Sequence, residues 1–262
     1  MNSVSKSASG SYRPSHTYID EICIPASFQL ADGTLPFAYG DVLRSSKALF
    51  SPRIEQFVNR VIDKCCSGEL STIIGISKVV TSSSFPLLYE SFDYCKKKIC
   101  INENVELLIC PILKEINGLS FELHGKMYIM VGRRVLSELN DNEILFLLGH
   151  ELGHVVIGHL NYHIVRGLIK SKHLFSFPFG SIINDKILEE YNVWCRDSEY
   201  TADRAGLICC GSIDSVESLM VKIVNTNQCE LESIEDYSSH PRLTNRLEQL
   251  KLFQILLQIN HL

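Results

Sequence analysis

The 262-residue sequence lacks the features that mark several large classes of protein. It has no excess of basic residues, since its net charge is -5 and its pI is about 6.0, so nucleic acid is not expected as a partner. It has no run of the roughly 18 to 20 apolar residues that a membrane-spanning helix needs. The first twenty residues are rich in serine and lack the apolar core of a secretory signal. We therefore expect a soluble, cytoplasmic protein with no transmembrane segment.

The sequence also lacks two common signatures of covalent chemistry. None of its ten cysteines shows Cys-x-x-Cys spacing, and four of them form the adjacent pairs Cys65-Cys66 and Cys209-Cys210. These cysteines are expected to be free, buried thiols, as is usual in a reducing compartment. The Gly-x-Ser-x-Gly sequence of serine hydrolases is absent as well. A nucleophilic serine at such a turn is thus not expected.

Composition and apolar spacing divide the chain into three parts. Residues 1–20 are predicted to be a mobile polar tail, because serine, glycine and proline prevail there. Residues 21–100 are predicted to form a helical N-terminal subdomain, and residues 101–262 the main domain. Interruptions of the N-terminal helices are expected at Pro52, Gly68, Gly75 and Pro86.

The main domain begins with short β-type runs and continues with helices. The runs VELLICPI, LSFEL and MYIMV lie between Val105 and Val131 and predict a small mixed sheet. A helix should follow Asn140, which can cap it together with Glu143. Further helices are predicted at about Lys186 to Cys210, Ser215 to Val224 and Leu243 to Ile259, and residues 164–185 look irregular. The fold class is therefore α+β, and mainly helical.

The helix after Asn140 carries the sequence HELGH, which is typical of a zinc site. His150 and His154 are four residues apart, so both imidazoles project from one face and can reach one ion. Glu151 lies about 100 degrees round the helix, where its carboxylate can contact a metal-bound water without binding the metal. This spacing makes Glu151 the candidate general base.

The third zinc ligand has to come from another segment. A metzincin would have histidine six residues after His154, but Leu160 stands there, and His159 is one residue out of register. Downstream, Glu199 and Asp203 are four residues apart and face the same way on a predicted helix. Glu199 can complete the zinc shell, while Asp203 can accept a hydrogen bond from the far nitrogen of His150.

A competing interpretation is a buried amphipathic helix whose histidines are satisfied by neighbouring polar groups. We favour zinc, because a hydrophobic core rarely contains so many ionisable residues.

Three blocks of sequence resemble the soluble relatives of HtpX and the CaaX prenyl proteases, which are gluzincin metallopeptidases. They are HELGHVVIGH at 150–159, SEYTADRAG around Glu199, and SSHPRLTNRL at 238–247, and they occur in the family's order. The resemblance covers roughly residues 105–250. It implies a zincin-like catalytic domain with an active-site helix.

The resemblance also implies roles that spacing cannot show. His240 would hydrogen-bond the oxyanion of the tetrahedral intermediate, and Arg246 would support that charge or a ligand carboxylate. His159 would be a structural residue at the helix end. The family's Asn-Ala-Phe-like block is replaced by Asn-Gly-Leu at 117–119, but a strand from about Phe121 to Val131 is still expected to hold an extended peptide along the cleft.

The predicted function is a zinc-dependent endopeptidase with one Zn²⁺ per chain and a peptide or protein substrate. Zinc would lower the pKa of its water while Glu151 takes the proton. An alternative is a catalytically silent zinc-containing protein that binds peptides or regulates a partner. A third hypothesis modifies the first: the N-terminal region or the loop Leu174 to Gly180 covers the cleft, with Cys23 as a thiolate on the zinc.

Overall fold

A computed structural model describes residues 37–40, 49–170, 184–227 and 241–259. Four predictions lie outside these residues: the tail 1–20, Cys23, the loop Leu174 to Gly180 and His240. The division of the chain at residues 20 and 100 stays a prediction.

The described residues between 49 and 100 are mainly helical. Their elements are α1 (Pro52–Val61), a π-helical turn (Ile62–Cys66), α2 (Ser67–Ile76), the short strand β1 (Lys78–Val79) and α3 (Pro86–Lys98). Helices α1 and α3 both begin at a proline, whose fixed φ suits the first helical position. The expected interruptions at Gly68 and Gly75 were wrong, because both glycines lie inside α2.

Four strands form one mixed sheet in the order β1-β2-β4-β3, where β2 is Val105–Cys110, β3 is Gly118–Leu123 and β4 is Lys126–Gly132. Strand β2 pairs with β4 in parallel, and β3 pairs with β4 antiparallel. The turn between β3 and β4 uses His124 and Gly125, with φ of 51° and 75°. Two successive positive φ angles are typical of tight hairpins. The strand expected from Phe121 to Val131 is therefore two strands, and β3 lies at the sheet edge.

The remaining elements are helices: α4 (Arg134–Glu138), α5 (Asp141–Ile157), α6 (Leu160–Lys170), α7 (Asp185–Cys210), α8 (Ile213–Asn227) and α9 (Leu243–Ile259). The predicted capping box of α5 is confirmed, since Asn140 and Glu143 exchange side-chain and backbone hydrogen bonds. The described part of the region expected to be irregular is helical up to Lys170. The chain is thus mainly helical with a small mixed sheet, as the sequence predicts.

Helices α5 and α7 approach each other very closely. An added Cβ at Gly149 would lie 2.7 Å from the Sγ atom of Cys209, and one at Gly153 would lie 2.7 Å from the Cα atom of Ala202. Only a residue without a side chain allows this distance between the two helices. The contact aligns the HELGH segment of α5 with the middle of α7.

The sheet has a hydrophobic cluster on each face. One cluster joins β2 and β4 to α3, α5 and α7 through residues such as Leu107, Ile129 and Leu148. The other joins β2, β3 and β4 to α1, the π-helical turn and α6 through residues such as Phe121, Phe57 and Val165. Helix α5 is therefore buried inside the protein.

Within the described ranges, no helix is long and apolar enough to cross a membrane. The eight cysteines in these ranges are free, and most of them are buried. The cytoplasmic location stays a prediction.

Candidate metal centre

Two histidines of α5 form one side of the candidate site. Their Nε2 atoms are 3.2 Å apart, because residues four positions apart lie above one another on a helix. Both side chains are buried. This separation is close to the roughly 3.3 Å between two nitrogen ligands of one tetrahedral zinc ion.

Helix α7 supplies the third group. One carboxylate oxygen of Glu199 lies 3.5 Å from Nε2 of His154, and the other lies 3.7 Å from Nε2 of His150. The Glu199 residue is only 2% exposed. Two ligands of a tetrahedral zinc ion, with bonds of about 2.0–2.2 Å, are roughly 3.3–3.6 Å apart. The three side chains therefore fit a metal ion of this kind, and they can leave a fourth position open.

A second layer of polar contacts surrounds His150. Its Nδ1 atom lies 3.0 Å from Oδ1 of Asp203, so the N–H on that side can donate to the carboxylate and leave Nε2 free to bind a cation. Arg246 of α9 donates to both oxygens of Asp203, at 2.7 and 2.5 Å. Its third nitrogen lies 3.4 Å from Glu199. The structure thus brings Arg246 against both carboxylates.

The buried charges shift one another's pKa values. Burial lowers the pKa of His150, but the hydrogen bond and charge of Asp203 and the charge of Glu199 outweigh it, so this pKa lies above its usual value. Burial raises the pKa of Asp203, yet the charge of Arg246 and the hydrogen bonds from Arg246 and His150 hold it below its usual value. The same negative potential that favours a proton on His150 also favours a metal cation there.

Glu151 follows His150 on α5 and is also buried. Its carboxylate accepts a hydrogen bond from the Ser120 hydroxyl on the edge strand β3. Ser120 was not predicted as a site residue, because a serine in a strand carries no signal of the helix that it will contact.

An aromatic group borders the site on the side of His154. The ring of His163 on α6 is 4.8 Å from that of His154 and 5.0 Å from that of Trp194, measured between centroids. His159 stacks on Phe50 at 4.1 Å, and burial lowers its pKa. His159 lies just beyond the end of α5 and outside the group of three. His163 was not predicted to lie near the site, since it belongs to no sequence motif.

The metzincin alternative finds no support at position 160. Leu160 is buried in the hydrophobic core beside the sheet and cannot bind a metal.

Comparisons with known proteins agree with this geometry. A family model for Peptidase family M48 matches residues 120–253, which is more than half of the chain. The fold is similar to the crystal structure of S. mikatae Ste24p, with a TM-score of 0.51, 14% identity, and coverage of 77% of this chain. At this identity the likeness concerns the fold alone, and the chain spans 58% of the Ste24p chain. No curated protein sequence matches significantly.

The family match includes all of β3, β4, α5 and α7 except the first two residues of β3, and extends into α9. It therefore contains His150, Glu151, His154, Glu199, Asp203, Arg246 and Ser120. The chain belongs to Peptidase family M48, with a gluzincin-type fold.

Proposed function

We propose that this chain is a zinc-dependent endopeptidase of the M48 branch that resembles HtpX and the CaaX prenyl proteases. The observation that carries the proposal is the meeting of His150, His154 and Glu199, whose ligand atoms all lie within 4.8 Å of one another. Glu151 adjoins them with a buried carboxylate. This combination is what hydrolysis by an activated water requires.

We assign the zinc, one ion per chain, to the two Nε2 atoms and the Glu199 carboxylate. When bound, the ion would supply Lewis-acid chemistry, polarising a peptide carbonyl and making a water molecule more acidic. Glu151 would accept the proton of the attacking water and donate it to the leaving amine. No covalent intermediate with the protein is needed.

The other polar residues support these groups. Asp203 would fix the tautomer and the orientation of His150 by accepting its Nδ1–H. Arg246 would balance the charge of Asp203 and Glu199, and would keep both carboxylates in place. His240, proposed from the family resemblance, would stabilise the oxyanion.

The substrate would be a peptide or protein segment in extended form. Among the described residues, strand β3 pairs only with β4. Ser120 of this strand donates to the carboxylate of Glu151, and Gly118 lies against the same side chain. A peptide that adds to the free edge of β3 would therefore pass beside the general base.

Cleavage of casein and of fluorogenic peptides by the metal-loaded chain tests this function. The wild type should cleave, and Glu151→Gln should keep its zinc but lose at least about two orders of magnitude in turnover. Glu138→Gln is a matched control, because Glu138 is exposed and pairs with Arg134 away from the site. Zinc-loaded wild type that binds peptides without cleaving them would instead support the catalytically silent alternative.

A further inference from the structure

The edge strand β3 crosses α5 at the candidate base. Ser120 is only 7% exposed, although it lies on an edge strand. Its Oγ atom donates to the carboxylate of Glu151 and also lies 3.0 Å from the main-chain oxygen of the same residue. A hydroxyl has one hydrogen to donate, so the two oxygens compete for it.

A second position on the same strand makes room for the carboxylate. Gly118 and Ser120 are two residues apart, so they share one face of β3. An added Cβ at Gly118 would lie 2.6 Å from both Cγ and Cδ of Glu151, closer than real Cβ atoms come to other atoms. The carboxylate of Glu151 therefore occupies the space that a side chain at position 118 would take.

These contacts bear on how the base is held. Glutamate has a long side chain with several accessible rotamers. A general base, however, has to stay within hydrogen-bond distance of the proton that it removes. Helix α5 fixes the Cα atom of Glu151 through its close contact with α7, but it does not fix the carboxylate. The described residues offer Ser120 as a hydrogen-bond donor at that carboxylate.

We propose that Ser120 is a positioning residue for Glu151, and that Gly118 provides the space in which Ser120 holds the carboxylate. The inference rests on the proposed peptidase function, because it assumes that Glu151 acts as the base. The competing role for Ser120 is structural: its hydroxyl would tie β3 to α5 through the main-chain oxygen of Glu151.

Steady-state kinetics of the zinc-loaded enzyme separate the two roles. A hydrogen bond to a charged group is worth roughly a 10- to 100-fold effect. For Ser120→Ala we expect kcat to fall at least about tenfold, with KM within about twofold and zinc content unchanged. Ser120→Thr, which keeps the hydroxyl, should recover most of the activity. Ser137→Ala is the control, since Ser137 is exposed and donates to a main-chain oxygen.

Crystal structures of wild type and Ser120→Ala give a readout that does not depend on activity. In the variant, we expect the Glu151 carboxylate to leave its place against β3 while His150 and Glu199 stay in place. An unmoved carboxylate, or Ser120→Ala with wild-type kcat, would overturn the positioning role. A zinc-loaded wild type without peptidase activity would instead refute the proposed function. Failure of the positioning role and failure of the proposed function can therefore be told apart.

Discussion

Replacing Asp203 by asparagine should weaken both the fold and the metal site. In the wild type, one oxygen of Asp203 accepts from His150 and from Arg246, and the other accepts from Arg246 alone. Asparagine has a single acceptor oxygen, and its NH₂ group would face a donor on either Arg246 or His150. One buried donor would then lose its partner.

The size of the expected loss of stability follows from the burial of the Asp203–Arg246 ion pair. Asp203 is 1% exposed and the side chain of Arg246 is 14% exposed, so solvent cannot replace the lost charge. Removing one partner of a buried ion pair costs about 3–5 kcal/mol. We expect the lower end, about 3 kcal/mol, because asparagine keeps one acceptor and Arg246 keeps Glu199 at 3.4 Å. Loss of such support for a ligand histidine typically weakens metal binding by about 10- to 100-fold.

Two measurements on the same variant test this expectation. Urea unfolding of the metal-free protein gives the free energy of unfolding, and competition with a zinc chelator gives the metal affinity. Glu143→Gln is a matched control, because Glu143 is a buried carboxylate on α5 that pairs with Lys222 at 2.7 Å, away from the metal group. It should lose stability with little change in zinc affinity.

The reasoning would be refuted by Asp203→Asn protein with wild-type stability and wild-type zinc affinity. A loss of stability alone, as in the Glu143→Gln control, would show that Asp203 does not support the histidine ligand.

Two further predictions concern helix packing and the metal. Gly153→Ala should destabilise the fold by about 1–3 kcal/mol and weaken zinc binding, since the new Cβ would push Ala202 and α7 away from α5. Gly75 in α2 has open space around it, so Gly75→Ala should instead raise the free energy of unfolding by about 0.4–1 kcal/mol. Unfolding curves of the two variants can be compared directly. Removal of zinc by a chelator should abolish peptide cleavage and lower Tm, and one added zinc per chain should restore both. Cleavage that survives complete zinc removal would contradict the proposed chemistry.

Sequence reasoning worked best where the signal is local. The start of α5 is predictable because Asn140 and Glu143 satisfy backbone groups within one helical turn. The turn at His124 and Gly125, where φ is positive at both residues, instead divides the strand that was expected to run from Phe121 to Val131. The helix from Leu243 to Ile259 was predicted with its observed bounds. The glycines of α2 misled the prediction, because packing of neighbouring apolar residues outweighs the modest helix cost of glycine.

The grouping of the site was only partly predictable. Helical spacing places His150 above His154, and Glu199 on the same face as Asp203, and the structure brings these two pairs together. The family resemblance implied only that Arg246 would support a ligand carboxylate or the oxyanion, and its two hydrogen bonds to Asp203 were not predicted. No periodic pattern indicated the contact of Ser120 with Glu151 or of His163 with His154, since these residues meet across separate elements.

The sequence by itself determined which side chains of α5 and α7 share a face, because that depends on the 3.6-residue period of each helix alone. The tertiary structure decided which faces meet, since the close contact at Gly149 and Gly153 sets the distance between α5 and α7. It also decided that Glu151 lies against the edge strand, because strand order and packing between distant segments have no counterpart in local spacing.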